Sequence, residues 1–381
     1  MTHIIELKNN KKKFLLITHK EISIYKTLYE LDFFKEFLKD YYVFVHYGWY
    51  DKTVKDIKFV DFCFSTKNIT PNFNKEKLLG FDSSDFVPDY FSYKINKKIY
   101  DICFISRLMK QKKILDFLIF IKKVILRKPE IRVLLILPDE DAKFNFGRYG
   151  HFKKDFEKLF TPKERNNFDI ISSDINAPFN INLDLVAELI NLSKVFVHTS
   201  TLEGSPKTVR EALCIGIPSI IPVPSTLGVF HKGTKGLYKY NVNKNNLDKI
   251  IINILKKKIN YRKNSLVNKE FYSQKINTNI LRNKLLSILG FKNKLLINKL
   301  CSLNLNRILP AHTINIDRKY IGVKNHDDFK KIYLAYQFFI SLGCKKKYSA
   351  LLNFLFKDFH NEVCFYIKNF LKWPFYFFNI K

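Results

Sequence analysis

The segment VFVHTSTLEGSPKTVREALCIGIPSIIPV, residues 195–223, carries the pattern that decides the fold. Val195–His198 is a short apolar run typical of a buried strand, and the turn TSTLEGS separates it from a helix. Pro206 suits the first position of that helix, which we expect to run to about Cys214. The next apolar run, IPSIIPV, predicts another strand. Strand, helix and strand in this order predict a βαβ unit with parallel strands and a right-handed crossover.

The same alternation continues on both sides of this unit. It predicts strands at 99–105, 131–137 and 168–172, and helices at 114–125, 183–192 and 247–255. The N-terminal residues show a weaker form of this alternation, with strands expected at 14–18, 42–46 and 59–64 and a helix at 24–38. We therefore predict an α/β protein with a shortened Rossmann-like domain at 1–95, a second Rossmann-like domain at 96–290, and a helical basic and aromatic extension at 291–381.

Composition excludes several classes of protein. The chain has 381 residues, of which 46% are hydrophobic and 15% aromatic, enough to bury sizeable cores, and this excludes wholesale disorder. The best candidate for a membrane span, 212–230, is broken by prolines and glycines. The six cysteines are scattered without a CxxC pair, which predicts buried free thiols and no structural zinc. Because the N-terminus also lacks the order of a secretory signal, we expect a cytoplasmic protein.

The formal net charge of +31 is unevenly distributed. Residues 251–300 hold 12 Lys and Arg and one acid, Glu270, whereas residues 181–230 hold four acids and three bases. Three interpretations of this positive charge stay open. The first is a solvated surface whose lysine content reflects codon bias, and the second is binding to an anionic membrane face through residues 251–300 and the aromatic tail. The third is specific nucleic-acid binding, for which no known motif is visible. Five of the 12 glycines fall between Gly204 and Gly236, so the chemistry is expected in the neutral block.

Two motifs that can carry chemistry each follow a predicted strand. The first is SRLMKQKK (106–113), in which Arg107 and Lys112 can both reach one diphosphate, helped by helix N-terminal amides. The second is EGSPKTVREA (203–212), in which a Gly-Ser turn exposes backbone amides between two glutamates. In parallel sheets, ligands sit beyond the carboxyl ends of the strands, where both motifs would lie.

Together, in this order, the two motifs resemble the donor-binding domain of glycosyltransferase family 4, a group 1 glycosyltransferase family with the GT-B fold. The family pattern is G-R-L-x-x-x-K-G, followed by E-G-x-x-x-x-x-x-E-A and a strand with a small residue, G-x-P; here these are SRLMKQKK and EGSPKTVREALCIGIP. GFDSSDFVP (80–88) is similar to the family's linker segment N-G-x-D-x-x-x-F-x-P, with Leu79 in place of Asn. The likeness covers roughly residues 77–290 and implies two Rossmann-like domains facing a cleft.

The resemblance implies roles for particular residues. Family members bind the donor's diphosphate with the arginine and the lysine, which implies that Arg107 and Lys112 stabilise the leaving group and that neither a metal nor another cofactor is needed. Glu211 would bind ribose hydroxyls, and Glu203 would contact the donor sugar or stabilise the developing oxocarbenium. The remaining donor-binding positions lie in the turn and at the helix start: Gly204, Ser205, Pro206, Lys207 and Thr208.

The N-terminal half departs from the family pattern. Family members usually have an N-terminal domain about twice as long and often a glycine-rich first loop, whereas THKEIS follows the first long strand here. They often present a histidine near the sugar, and His46, in VFVHYG at a strand end, is the catalytic candidate. A purely structural role for His46 stays open. We expect His198 to pack beneath the site.

The resemblance implies a retaining hexosyltransferase. It would transfer a sugar from a nucleotide-activated donor to a hydroxyl of a glycan or lipid-linked acceptor, in cell-surface polysaccharide or glycolipid biosynthesis. The partners would be the donor, the acceptor and an anionic membrane surface on the inner face, with no specific nucleic acid. Two alternatives stay open: a non-catalytic nucleotide-sugar-binding partner subunit derived from the GT-B fold, and a nucleotide-sugar epimerase.

Overall fold

The computed structural model describes residues 3–5, 7, 11–18, 22, 29, 35–36, 38–47, 56–65, 74–138, 146–172, 182–201, 206–224, 230–303 and 305. The chain divides into two compact units, residues 1–43 with 317–381, and residues 44–316. Most of the predicted helix at 24–38 and most of the extension at 291–381 lie outside the described residues. The domain boundaries at 95 and 290 stay predictions.

The N-terminal strands are partly those that the sequence predicts. β1 (His3–Ile5) pairs antiparallel with β2 (Lys13–Thr18) and was not expected, because three residues give no readable pattern. β3 (Tyr41–His46) and β4 (Phe62–Phe64) pair in parallel from Phe44 opposite Phe62 to His46 opposite Phe64. β4 is shorter than the predicted 59–64 because a turn precedes it, in which the Val60 N–H donates to the Ile57 carbonyl at 3.1 Å.

The larger sheet has six strands in the order β10-β9-β8-β5-β6-β7, and each pair of neighbours is parallel. The chain starts in the middle at β5, winds outward through β6 and β7, and then returns to the other side of β5. This is the doubly wound Rossmann order. The strands are β5 (Tyr100–Ile105), β6 (Val133–Leu137), β7 (Phe168–Ser172), β8 (Ser193–Val197), β9 (Ser219–Val223) and β10 (Leu237–Asn241).

Helices cover both faces of this sheet, as the alternation of strands and helices predicts. Along β5, Ile102 and Phe104 pack into one apolar cluster while Cys103 packs into the other, because successive side chains of a strand point to opposite faces. The first cluster includes residues of α1 (Ile114–Arg127), α2 (Phe146–Leu159) and α6 (Leu247–Leu255). The second includes residues of α4 (Leu183–Asn191), α5 (Lys207–Ile215) and α7 (Tyr261–Tyr272). Further helices are α3 (Pro162–Arg165), α8 (Gln274–Leu289) and α9 (Lys294–Cys301).

Gly216 ends α5 and lets the chain turn into β9. Its φ of 93° is left-handed, and its amide and that of Ile217 donate to the Leu213 and Ala212 carbonyls. A Cβ built on Gly216 would lie 2.0 Å from the Tyr261 carbonyl oxygen, so α7 packs directly against this turn. A side chain is therefore excluded here by both backbone conformation and space.

We expect Gly216→Ala to destabilise the protein more than Gly80→Ala. Gly80 is also left-handed, with φ of 78°, but a Cβ there meets nothing within 4 Å. Gly80→Ala should therefore lower the free energy of unfolding by backbone strain alone, about 1–2 kcal/mol. Gly216→Ala should cost about 1–3 kcal/mol more because of the clash with α7. Urea denaturation of both variants measures the difference, and equal losses would contradict the packing described here.

The described cysteines are buried free thiols, as predicted. They are Cys63, Cys103, Cys214 and Cys301, whereas Cys344 and Cys364 lie outside the described residues. Burial raises the pKa of Cys103 to about 12 and that of Cys301 to about 11, so both stay protonated at neutral pH and pack as small apolar groups. Within the described ranges, no helix combines the length and the apolar character that crossing a bilayer requires.

Candidate functional site

The candidate site lies where β5 and β8 end side by side. These strands pair in parallel, from Tyr100 opposite Ser193 to Phe104 opposite Val197. Because the chain winds to one side after β5 and to the other after β8, the loops that follow the two strands diverge and leave a crevice between them. This is the topological switch point at which doubly wound sheets bind their ligands. The first motif singled out in the sequence directly follows β5, and the second follows β8 in the chain and includes the first turns of α5.

The loop after β5 holds the predicted diphosphate-binding cations. The Ser106 amide continues the sheet by donating to the Ile136 carbonyl at 3.0 Å, and Leu108 is buried. Arg107 and Lys112 are half-buried, and Lys112 closes the 3-10 turn Lys110–Lys112. The sequence predicts a helix from residue 114, and α1 begins at Ile114, after both cations.

Lys113 adopts the left-handed conformation, with φ of 52°. Glycine stands at this position in the family pattern G-R-L-x-x-x-K-G, and the observed φ gives the physical reason, since only glycine adopts it without strain. This chain keeps the backbone geometry of the pattern although it lacks the glycine. The bend turns the chain from the 3-10 turn into α1.

A hydrogen bond joins the two motifs. The Thr199 hydroxyl, in the loop after β8, donates to the Lys112 carbonyl at 2.8 Å and lies 3.3 Å from that of Lys113. Thr199 is 1% exposed, so the contact is buried. Thr199 is not among the site residues predicted from the sequence; its only signal there is a hydroxyl residue directly after a predicted strand. His198, which precedes it, is buried as expected.

The second motif leads into α5, a helix that is buried on all sides from Val209 to Ile215. Pro206 precedes the helix, and Lys207 and Thr208 form its half-buried first turn. The first amides of an α-helix have no partner within the helix and carry a partial positive charge, so this end can hold phosphate oxygens. Glu203, Gly204 and Ser205 lie outside the described residues, and their roles stay predictions.

Glu211 lies in the second turn of α5 and is only 5% exposed. Carboxylates are seldom buried this deeply in proteins. A carboxylate held rigidly on a helix beside the switch point can accept hydrogen bonds from hydroxyl groups of a ligand. The predicted ribose-binding role of Glu211 is compatible with this position and stays a prediction.

A buried ion pair fixes α5 to the linker that precedes the sheet. Arg210 is 1% exposed, and its guanidinium donates to the Asp85 carboxylate and to the Ser84 hydroxyl, both in the 3-10 turn Ser83–Asp85. Burial raises the pKa of the Asp85 carboxyl, and the Arg210 charge acts in the opposite direction. Because Arg210 precedes Glu211, this pair also fixes the turn of helix that carries the buried glutamate.

Tyr272 and the junction between α7 and α8 make further contacts with Arg210 and with the linker. The Arg210 guanidinium lies 5.0 Å from the Tyr272 ring centroid, a favourable cation–π distance. The linker pairs with the junction through the Val87 amide, which donates to the Tyr272 carbonyl at 2.8 Å. The Asn277 side chain donates to the Asp85 carbonyl at 2.6 Å. The sequence contains one signal for this arrangement, an arginine on a helix whose other positions are mostly apolar.

His46 ends β3, in a different sheet from that of β5 and β8. It is 8% exposed, and β3 continues into Tyr47, whose amide donates to the Phe64 carbonyl at 3.2 Å. Its catalytic role stays a prediction. Among the residues that the structure describes, no group of three or more His, Cys, Asp or Glu side chains is arranged to hold a metal ion.

Residues 88–269 match the family model of the group 1 glycosyl transferases. This group 1 segment contains β5 to β10, both cations and Glu211, and it lies within the range 77–290 over which the resemblance was predicted. The predicted GT-B-like α/β fold class is confirmed by this match together with the parallel, doubly wound sheet. The narrower assignment to family 4 stays a prediction. No curated protein sequence matches the chain.

Solved structures with similarity to the chain are distant. The α,α-trehalose 6-phosphate synthase from Burkholderia multivorans is 10% identical, with 50% of this chain and 44% of that one covered and a TM-score of 0.41. Anabaena Alr3699/HepE, solved in complex with UDP, is 12% identical over 67% and 74%, with a TM-score of 0.45. The pneumococcal O-GlcNAc transferase GtfA, solved with UDP and GlcNAc, is 13% identical over 70% and 54%, with a TM-score of 0.40. The chain therefore spans less than half the length of the first of these.

A cavity of about 580 Å³ lies at the opposite edge of the group 1 segment, where α1 and α6 end. It is remote from the switch point because both helices run back from the carboxyl ends of their strands. It is lined by Arg127, Lys128, Lys249, Ile252, Asn253, Leu255 and Lys256.

We expect Arg210→Met to lower the free energy of unfolding by about 3–5 kcal/mol, because it leaves the Asp85 carboxylate buried without its cation. Without Arg210, burial raises the pKa of Asp85 further, so the destabilisation should be largest well above that pKa and should shrink as the pH falls and the carboxyl takes up a proton. Urea denaturation at acidic and neutral pH measures both effects.

The matched control is the double variant Arg210→Met, Asp85→Asn, which removes both charges. It should regain much of the stability lost in Arg210→Met. If the two substitutions simply add, the ion pair does not couple the linker to α5.

Proposed function

We propose that this chain is a retaining, metal-independent glycosyltransferase of family 4. Its donor is a nucleotide-activated sugar, and its acceptor is a hydroxyl of a glycan or a lipid-linked glycan in cell-surface polysaccharide or glycolipid synthesis. We place it in the cytoplasm, at the inner membrane face. The match of residues 88–269 to the group 1 glycosyl transferases supports the reaction class.

The observation that carries the proposal is the buried hydrogen bond from Thr199 to the Lys112 carbonyl. It holds the cation-bearing loop after β5 against the loop that leads to α5, so that a donor lying across the switch point could touch both. A diphosphate between these loops would meet Arg107 and Lys112 on one side and the α5 N-terminus on the other. The ribose would then lie towards Glu211.

The chemistry follows from these positions. The bond between the anomeric carbon and the diphosphate breaks, and the nucleoside diphosphate leaves with the electron pair. Arg107 and Lys112 stabilise its growing negative charge, as a divalent cation does in other enzymes. The acceptor oxygen bonds to the anomeric carbon from the same face, and its proton passes to a departing phosphate oxygen, which retains the configuration. Glu203 stabilises the positive charge that develops on the sugar, and His46 contacts the sugar.

One alternative comes from another class of protein. A non-catalytic partner subunit would bind the nucleotide sugar through the same loops but would release no product. A nucleotide-sugar epimerase would convert one nucleotide sugar into another without an acceptor and would need acids and bases around the sugar. Release of free nucleoside diphosphate in the presence of acceptor distinguishes the transferase from both.

Nucleotide binding tests the site. Among UDP, GDP and ADP, we expect at least one to bind, and Arg107→Ala or Lys112→Ala to weaken that binding by about 10- to 100-fold, since each removes a charge-assisted contact with the diphosphate. Lys110→Ala is the matched control, because Lys110 is an exposed lysine of the same turn. Glu211→Gln should weaken nucleotide binding while Glu270→Gln, at an exposed site on α7, leaves it unchanged. Titration calorimetry measures the affinities, and equal effects of Lys110→Ala and Lys112→Ala would contradict the assignment.

Turnover tests the reaction. With radiolabelled donor and total glycan acceptor, we expect transfer that persists in EDTA, because arginine and lysine carry out the task of a metal, and an anomeric configuration identical to that of the donor by NMR. Inversion, or loss of activity in EDTA restored by a divalent cation, would overturn the mechanism. Nucleotide binding without transfer would favour the partner subunit.

A further inference from the structure

The C-terminal helices present large apolar side chains to solvent. At the turn between α8 and α9, Phe291 and Leu295 are each 73% exposed, and Ile288 is 44% exposed. Ile280, on the preceding part of α8, is 49% exposed. Side chains this large are seldom so exposed together, and such a group marks a contact surface. We call Ile288, Phe291, Lys292, Lys294 and Leu295 the α8–α9 elbow.

Along the chain, the charges on both sides of the elbow from residue 271 to residue 305 are all of one sign. Residues 271–305 contain six Lys and Arg and no Asp or Glu. Four of these cations are exposed lysines, Lys275, Lys292, Lys294 and Lys299. Lys294 lies 5.0 Å from the Phe291 ring centroid, so apolar and cationic groups are adjacent at the elbow. A surface of this kind is complementary to a partner that is negatively charged outside and apolar beneath.

We propose that the elbow docks on an anionic lipid surface. Phe291 and Leu295 enter the boundary between headgroups and acyl chains, while Lys292 and Lys294 contact lipid phosphates. A second copy of the chain would bring the same charge of +31 against itself. The chain's own residues 306–381, with 13 Lys and Arg against five Asp and Glu, also carry a net positive charge and so do not complement the elbow lysines. Nucleic acids also carry phosphates, but they have no apolar layer in which exposed isoleucine and leucine side chains could be buried.

Vesicle sedimentation tests the proposal independently of glycosyl transfer. We expect the full chain to bind vesicles of phosphatidylcholine with phosphatidylglycerol, to bind phosphatidylcholine alone far more weakly, and to dissociate as salt is added. Lys292→Gln with Lys294→Gln should lower the partition coefficient about 25-fold, or about fivefold for each lysine. Phe291→Ser with Leu295→Ser should lower it by at least about tenfold.

Matched control variants test whether a loss of binding comes from the elbow itself or from any loss of charge or apolar surface on the chain. Lys153→Gln with Lys154→Gln removes the same charge from exposed positions of α2, and Leu126→Ser removes a leucine of α1 that is 68% exposed. Neither should change the partition coefficient more than twofold to threefold. Thermal unfolding of every variant shows that it is folded.

Insertion is measured by fluorescence. Phe291→Trp should shift its emission to the blue on anionic vesicles, whereas Leu126→Trp should not. The proposal is overturned if the controls lower binding as much as the elbow variants, or if Phe291→Trp shows no shift. It is also overturned if RNA competes fully for the surface and Phe291→Ser with Leu295→Ser leaves RNA retention intact.

Discussion

The parallel pairing of β5 with β8 is the constraint on which the candidate site depends. It brings together two loops that lie about ninety residues apart in the chain, because the strands that precede them end at the same edge of the sheet. The winding direction reverses between these strands, so the loops that follow them diverge and leave a crevice. The Thr199 hydroxyl then holds the Lys112 carbonyl and sets the separation of the two loops. Every role proposed for Arg107, Lys112 and α5 requires this pairing.

A second constraint follows from the burial of α5. A helix surrounded by protein has little freedom to shift, and it therefore places the groups at its N-terminus reproducibly. Burial also makes any charge on the helix costly unless a partner is present. The partner of Arg210 is Asp85, and their ion pair connects α5 to the linker. At the other end of α5, Gly216 has no side chain, so α7 can pack directly against the turn. The site is thus rigid on the α5 side, where phosphate and ribose are proposed to bind.

The strands and helices of residues 96–255 were largely predictable because their apolar patterns are strong. Parallel strands buried on both faces, such as VLLIL in β6, read as continuous apolar runs. The edge strand β10, LYKYN, was missed because it is half-exposed and carries polar residues. The 3-10 turn before α1 was also missed, since lysine and glutamine are good helix formers and nothing in their pattern indicates the left-handed Lys113.

By itself, the sequence determined the fold class, five of the six strands of the larger sheet, the helices α1, α4, α5 and α6, and the two motifs. Local propensity and apolar periodicity suffice for these, because each depends on residues close together in the chain. Only the tertiary structure decided the contact between Thr199 and Lys112, the ion pair between Arg210 and Asp85, and the exposure of Phe291 and Leu295. Each of these depends on which distant segments pack together, and the spacing of residues within one segment does not show which other segment it will contact.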